Sequence, residues 1–272
     1  MADSISVSNL LQDSVARTKR LIVPSLPFAV VFSVMTGILV WGAGALPEGG
    51  AGFVGFTALA FATLFAHSLF SVAMYRAALP MGAGQLGRAW KLSLAWMLIF
   101  VVASIGGAII VLFFSLIGAS LGVVSGEAGQ EIVDMTAQMR AAGTFWPLFA
   151  LFSLTLFGVF WFAVRISTFA AATSARGQVH VFRTWYWTKG HFRTLAPLAI
   201  LFIILPVIVC ALMASAITQQ LSSHEDSALM TGLSVAVFTY VLTPSAWLGH
   251  GFASAVYAAL APADEDQPST PA

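Results

Sequence analysis

The sequence predicts an all-α integral membrane protein with six transmembrane helices arranged as three helical hairpins. Of the 272 residues, 59% are hydrophobic and 8% are charged, whereas soluble domains contain about 25% charged residues. Apolar stretches reach the length of about 20 residues that a helix needs to cross a bilayer. Basic residues are concentrated in alternate connections between these stretches. We therefore predict spans at residues 21–46, 52–75, 92–123, 145–164, 195–217 and 229–260.

The distribution of positive charge predicts the orientation of the chain. Every Lys and Arg except Arg140 lies before the first span or in the second or fourth connection. Because cytoplasmic loops carry an excess of Lys and Arg, both termini are predicted to be cytoplasmic. The first span is longer than the roughly 7–15 apolar residues of a signal peptide, so we expect it to be retained. We accordingly expect a multi-pass protein of a bacterial cytoplasmic (inner) membrane.

The segments outside the six-helix domain, which covers residues 21–261, are short. Residues 1–20 are predicted to form a cytoplasmic N-terminal segment, and the acidic residues 262–272 a disordered tail. The third connection, residues 125–144, carries Ile, Met and Met at positions 132, 135 and 139, which is a helical spacing. It is predicted to be either a short amphipathic helix on the outer surface or a solvated loop.

The two long basic connections share a short pattern. Residues 84–90 read Gly-Gln-Leu-Gly-Arg-Ala-Trp, and residues 177–185 read Gly-Gln-Val-His-Val-Phe-Arg-Thr-Trp. An arginine, Arg76 or Arg165, ends the preceding span in each case. This similarity indicates helical hairpins repeated in the same membrane orientation, which are parallel repeats.

One basic segment resembles a known family. Residues 162–165 read Phe-Ala-Val-Arg, residues 181–185 read Val-Phe-Arg-Thr-Trp, and residues 188–192 read Thr-Lys-Gly-His-Phe. This layout resembles the membrane domain associated with bacterial glycerophosphoryl diester phosphodiesterases, a domain that also occurs alone. The resemblance implies a six-helix membrane module. Those enzymes also need a soluble barrel with acidic metal ligands, and the longest connection, residues 165–194, is too short for one, so the activity is not expected in this chain.

The apolar stretches lack the groups that intramembrane catalysis needs. No Asp or Glu occurs in any predicted span, and the histidines there are His67 and His250. Cys210 has no second cysteine to pair with. Buried acids and clustered metal ligands mark functional membrane sites, so we predict no catalytic activity, no cofactor and no metal, and we interpret both histidines as interhelical hydrogen-bond partners.

Helix-breaking residues in three spans are compatible with a second function, transport. Gly106 and Gly107, Pro206 and Pro244 can interrupt the third, fifth and sixth spans. Such breaks either line a transport path or simply fit a helix to its neighbours. A transporter or flippase for an amphiphilic or phosphate-bearing small molecule is therefore the alternative prediction, and an intramembrane enzyme ranks third.

The favoured prediction is a non-enzymatic membrane protein that binds lipid headgroups or a protein partner, as a homo-oligomer or as a subunit of a larger assembly. Cations beside aromatic rings at headgroup depth attract anionic lipid at the cytoplasmic face. The alternative is that these residues only set the topology and anchor the helices at the interface. The basic residues are too few and too close to the membrane for nucleic-acid binding to be expected. The candidates for binding lipid or phosphate are Arg76, Arg88, Trp90, Lys91, Arg165, Arg183, Trp185, Lys189 and Arg193.

Overall fold

A computed structural model describes residues 6–120, 137, 139–141, 143–222 and 227–262. The secondary structure of these residues is helical, and they contain no strand. A π-helical turn covers Ile200–Ile204. The helices are α1 (Val7–Ala45), α2 (Gly50–Ala78), α3 (Gln85–Ser120), α4 (Phe145–Ile166), α5 (Phe169–Arg176), α6 (Arg183–Trp187), α7 (Phe192–Ala199), α8 (Leu205–Ser222), α9 (Ala228–Val241) and α10 (Thr243–Leu260).

The described helices confirm the coarse part of the predicted fold class, a helical chain with apolar helices long enough to span a membrane. Five helical stretches are long and apolar enough to cross a membrane, and the bent pair of α9 and α10 makes a sixth if it is one span. The fourth span follows the prediction closely, since α4 covers Phe145–Ile166. The part of the chain that the structure describes is therefore helical, and the composition is that of a multi-pass membrane protein.

The ends of the first helix differ from the prediction. α1 begins at Val7, well before residue 21, so most of the predicted N-terminal segment is helical. Its early turns bury Leu10, Ser14 and Thr18 at a spacing of four residues, which extends the packed face of the helix beyond the apolar stretch. Other predictions, for most of residues 125–144 and for the tail after residue 262, lie outside the described residues.

The chain divides into two compact units. The first comprises Met1–Ala95 and Val164–Ala272, and the second comprises Trp96–Ala163. In the second unit, the rings of Phe114 and Phe152 lie 6.1 Å apart between α3 and α4. α3 continues through its glycine pair at positions 106 and 107, so the third span is not interrupted at that pair.

The first unit is organised around α1, which packs against α2, α9 and α10. A stripe of small side chains follows its buried face, and the hydroxyl groups donate to carbonyls of their own helix. Ser14 Oγ, for example, donates to Leu10 O at 2.7 Å. Because small side chains let helix backbones approach closely in a membrane, this stripe explains how α1 contacts several helices. Its members are Ser14, Thr18, Ser25, Ala29, Ser33 and Gly37.

Proline accompanies a bend in the last span and an irregular turn in the fifth, which otherwise continues as one helical stretch. Pro244 lies in the first turn of α10, where the last span bends by 40°. At this break, Leu242 O accepts from Ser245 Oγ at 2.7 Å and from Ser245 N at 3.1 Å. Pro206 follows the π-helical turn, where Leu205 N donates to Ile200 O. The wider turn accommodates a residue that cannot donate a backbone hydrogen bond.

Candidate functional site

Hydrogen bonds bring the basic segments of the first unit together. Arg17 Nη1, near the start of α1, donates to Ala78 O at the end of α2 at 2.6 Å. Arg88 Nη1, near the start of α3, donates to Ala175 O of α5 at 2.7 Å. We call this region of the first unit the basic end. It comprises the start of α1, the end of α2, the start of α3 and residues 164–193.

Two of the candidate cations cap the C-terminal end of α5. Arg88 Nη1 donates to Ser174 O as well as to Ala175 O, and Lys91 Nζ donates to Gly177 O at 2.6 Å. Gly177 has a φ of +65°, a left-handed conformation that ends helices and favours glycine. The final carbonyls of a helix carry partial negative charge, so cations stabilise them. The second connection thereby holds the fourth in place.

Replacement of Arg88 by alanine tests this structural role. We expect the variant to lose about 1–2 kcal/mol of stability, since hydrogen bonds from a charged donor to the end of α5 disappear. Thermal unfolding in detergent should show a lower melting temperature than wild type. Arg183→Ala is the matched control, because Arg183 is exposed. Equal melting temperatures for the two variants would contradict the capping role.

Arg165 is buried beneath Trp185 and is 5% exposed. Its Nη2 donates to Trp185 O at 2.6 Å, and its Cζ lies 4.7 Å from the centroid of the Trp185 ring. Thr188 Oγ1 donates in turn to Arg165 O at 2.8 Å. A guanidinium over an indole face is a favourable cation–π arrangement. Arg165 therefore fastens the segment around α6 to the end of α4.

A further arginine at the basic end was not among the predicted site residues. Arg176 lies with its Cζ 4.7 Å from the ring centroid of Trp187. It also donates from Nε to the Tyr257 hydroxyl at 3.2 Å and from Nη2 to Pro262 O at 2.7 Å. Tyr257 is 81 positions away in the sequence, so no local pattern pairs the two. Arg176 ties the end of α10 to the fourth connection.

The remaining candidate cations are exposed. Arg76, Arg183, Lys189 and Arg193 lie on the surface, and their side chains form no hydrogen bond or ion pair with another described residue. Trp90 is 51% exposed. The candidates thus form two sets, one that holds the basic end together and one whose charges are open to ligands.

One exposed cation, Arg76, borders a cleft of about 320 Å³. Pro24 and Phe28 of α1 line it, as do Ala73 and Ala77 of α2. Gln85, at the start of α3, adds an amide group to the lining. We call this site the Arg76 cleft. It combines a cation with no protein partner among the described residues and walls that are mainly apolar.

The two span histidines lie inside the helix bundle. His250 Nδ1 lies 2.8 Å from Ala246 O, which can only accept, so this nitrogen carries the proton. His250 Nε2 then accepts from Ser71 Oγ of α2 at 3.1 Å. This bond confirms the interhelical role predicted for His250. The ring of His67 lies 4.9 Å from that of Phe32 on α1.

The described residues bring no three His, Cys, Asp or Glu side chains together as a metal site would require. No protein-family model matches the chain, and no curated protein or solved structure matches it either. The relation to the phosphodiesterase-associated membrane domain therefore stays a prediction, as does the absence of catalytic activity.

Proposed function

We propose that this protein is a non-enzymatic membrane protein that binds anionic lipid headgroups at its basic end. The observation that carries the proposal is the exposed set of cations, none of which bonds to another described side chain or carbonyl. The proposal includes a bacterial cytoplasmic membrane, six spans in three hairpins, and cytoplasmic termini, because the basic residues would then face the anionic leaflet.

The chemistry of the exposed set suits phosphate. Each basic residue near an anionic surface contributes about 1 kcal/mol of attraction. Arginine adds a planar fork that can donate two hydrogen bonds to one phosphate group. Exposed aromatic side chains, including Trp90 and Tyr186, accompany these cations, and such rings favour the depth of the headgroups. The basic end therefore has both the charge and the anchors for lipid.

The packed interior of the first unit supports a binding protein over a transporter. Beside the π-helical turn, the ring of Phe202 stacks on that of Phe252 at 5.9 Å. Phe70, Tyr75 and Phe252 are among the largest fully buried side chains. A transport path would need open space beside the helix breaks, whereas aromatic rings fill the space beside this one.

Native mass spectrometry of the protein extracted with its surrounding lipid tests the proposal. We expect anionic lipids to be enriched on the wild-type protein over their share of the membrane. A variant with glutamine at positions 76, 183, 189 and 193 should retain at least about tenfold less of them, because each charge contributes about 1 kcal/mol.

Arg140→Gln is the matched control, since this arginine lies in the third connection, outside the basic end. It should retain the lipids of the wild type. Equal lipid on the wild type and the multiple variant would contradict the proposal, and a protein partner retained without anionic lipid would replace it with an assembly role.

A further inference from the structure

The Arg76 cleft differs from the rest of the basic end because it joins a cation to an apolar hollow between two helices. We infer that this cleft binds one phospholipid with an anionic phosphodiester headgroup, with its phosphate at Arg76 and its apolar part along α1 and α2. The inference rests on the proposed function and names the ligand class and the site.

The spacing of the lining residues explains why the hollow exists. Pro24 and Phe28 are four residues apart on α1, and Ala73 and Ala77 are four residues apart on α2, so each pair shares one helix face. The alanines leave space where larger side chains would fill the gap between two packed helices. The hollow is about 320 Å³ in volume, and it opens beside the charged end of α2.

Among the described residues, Arg76 lacks the protein partners that Arg165, its counterpart in the other basic segment, has. Arg76 and Arg165 occupy matching positions at the ends of their spans. Arg165 donates to a backbone carbonyl of Trp185 and lies under its indole ring. Trp90, the counterpart of Trp185, is 51% exposed, and the structure shows no contact between its ring and Arg76. Arg76 can therefore give its donors to an oxygen from outside the chain.

The composition of the cleft favours a lipid over a free phosphate ion. Pro24, Phe28, Ala73 and Ala77 are apolar and would gain nothing from a small hydrated anion. Acyl chains or a glycerol backbone can occupy such walls while the headgroup stays at the aqueous end. A single arginine balances the single charge of a phosphodiester. Gln85 carries both donors and an acceptor, which suits a headgroup with hydroxyl groups.

Two variants test the cleft by different means. Arg76→Gln removes the charge, and Ala77→Phe fills the hollow without changing the charge. Each is placed in nanodiscs of equal parts phosphatidylglycerol and phosphatidylcholine, and bound lipid is read by native mass spectrometry. We expect one phosphatidylglycerol per wild-type chain, about a fivefold loss of it when Arg76→Gln removes one charge, and a clear loss when Ala77→Phe fills the hollow. Arg140→Gln, which changes a cation outside the basic end, should keep the wild-type lipid.

Further measurements distinguish a bound lipid from a bound phosphate ion, and the Arg76 cleft from the rest of the basic end. Inorganic phosphate added to the detergent-solubilised protein should not displace the lipid, and displacement together with an unaffected Ala77→Phe variant would overturn the lipid assignment. Wild-type lipid on correctly melting Arg76→Gln and Ala77→Phe variants would overturn the cleft. If the multiple-charge variant then still loses lipid, the proposed function stands without the cleft. A wild-type protein without preference for phosphatidylglycerol would overturn both.

Discussion

Replacement of Gly37 by valine is expected to destabilise the first unit strongly. A Cβ atom at Gly37 would lie 2.6 Å from Gly232 O and 2.8 Å from Ala236 Cβ of α9. Backbone atoms cannot rotate away, so α1 and α9 must separate. Overpacking of this kind costs about 3 kcal/mol, and we expect a clearly lower melting temperature in detergent.

Gly107→Val is the matched control for this experiment. Gly107 also lies within a long helix, but nothing lies within 4 Å of a Cβ atom built there. The Gly107→Val variant should melt near the wild-type temperature, with only a small shift from the difference in helix propensity between glycine and valine. The reciprocal change Gly232→Val should resemble Gly37→Val, since its Cβ would lie 2.8 Å from Gly37 O. A stable Gly37→Val variant would show that the two helices do not cross at these glycines.

Replacement of Arg165 by glutamine is expected to loosen the fourth connection. The change removes the hydrogen bond to Trp185 O and the cation–π contact with its ring. A buried contact of each kind contributes about 2 kcal/mol, so the local stability should fall by about 2–4 kcal/mol. Hydrogen exchange followed by mass spectrometry should show faster exchange in residues 181–188, while the interior of α1 stays protected.

Two further variants show whether geometry or charge matters at this position. Arg165→Lys keeps the charge but loses the planar guanidinium, so it should restore only part of the protection. Arg183→Gln, in the same segment but exposed, should exchange like the wild type. Unchanged exchange in Arg165→Gln would show that the segment is held by its other contacts, such as the bond from Thr188 to Arg165 O.

The helices could be predicted from local composition more reliably than their ends. Apolar length predicts α4 to within a few residues, because lipid selects for an uninterrupted apolar segment. The start of α1 could not be found in this way. Ser14 and Thr18 look polar in the sequence, yet they are buried, and a Cβ at Gly251 would lie 3.0 Å from Ser14 O. Contact with α10 extends the helix where hydropathy ends.

For the candidate site, too, the sequence predicted one part of the arrangement and the tertiary structure decided the other. Charge and aromatic content singled out the basic connections, but they could not separate cations that hold the fold together from exposed ones. Arg76 and Arg165 each lie where an apolar stretch meets a basic connection, although one is exposed and the other is buried under Trp185. Arg88 finds its acceptor at Ser174, 86 positions away. No pattern within one segment contains that partner.

The sequence by itself determined that this chain forms several long apolar helices of membrane-spanning length, because a bilayer requires about 20 uninterrupted apolar residues per span. It also determined that the cations lie in a few connections. The tertiary structure decided which of those cations are engaged, because their acceptors are carbonyls and rings from distant parts of the chain. It also decided that a hollow exists beside Arg76, since its walls come from two helices that meet only in the folded protein.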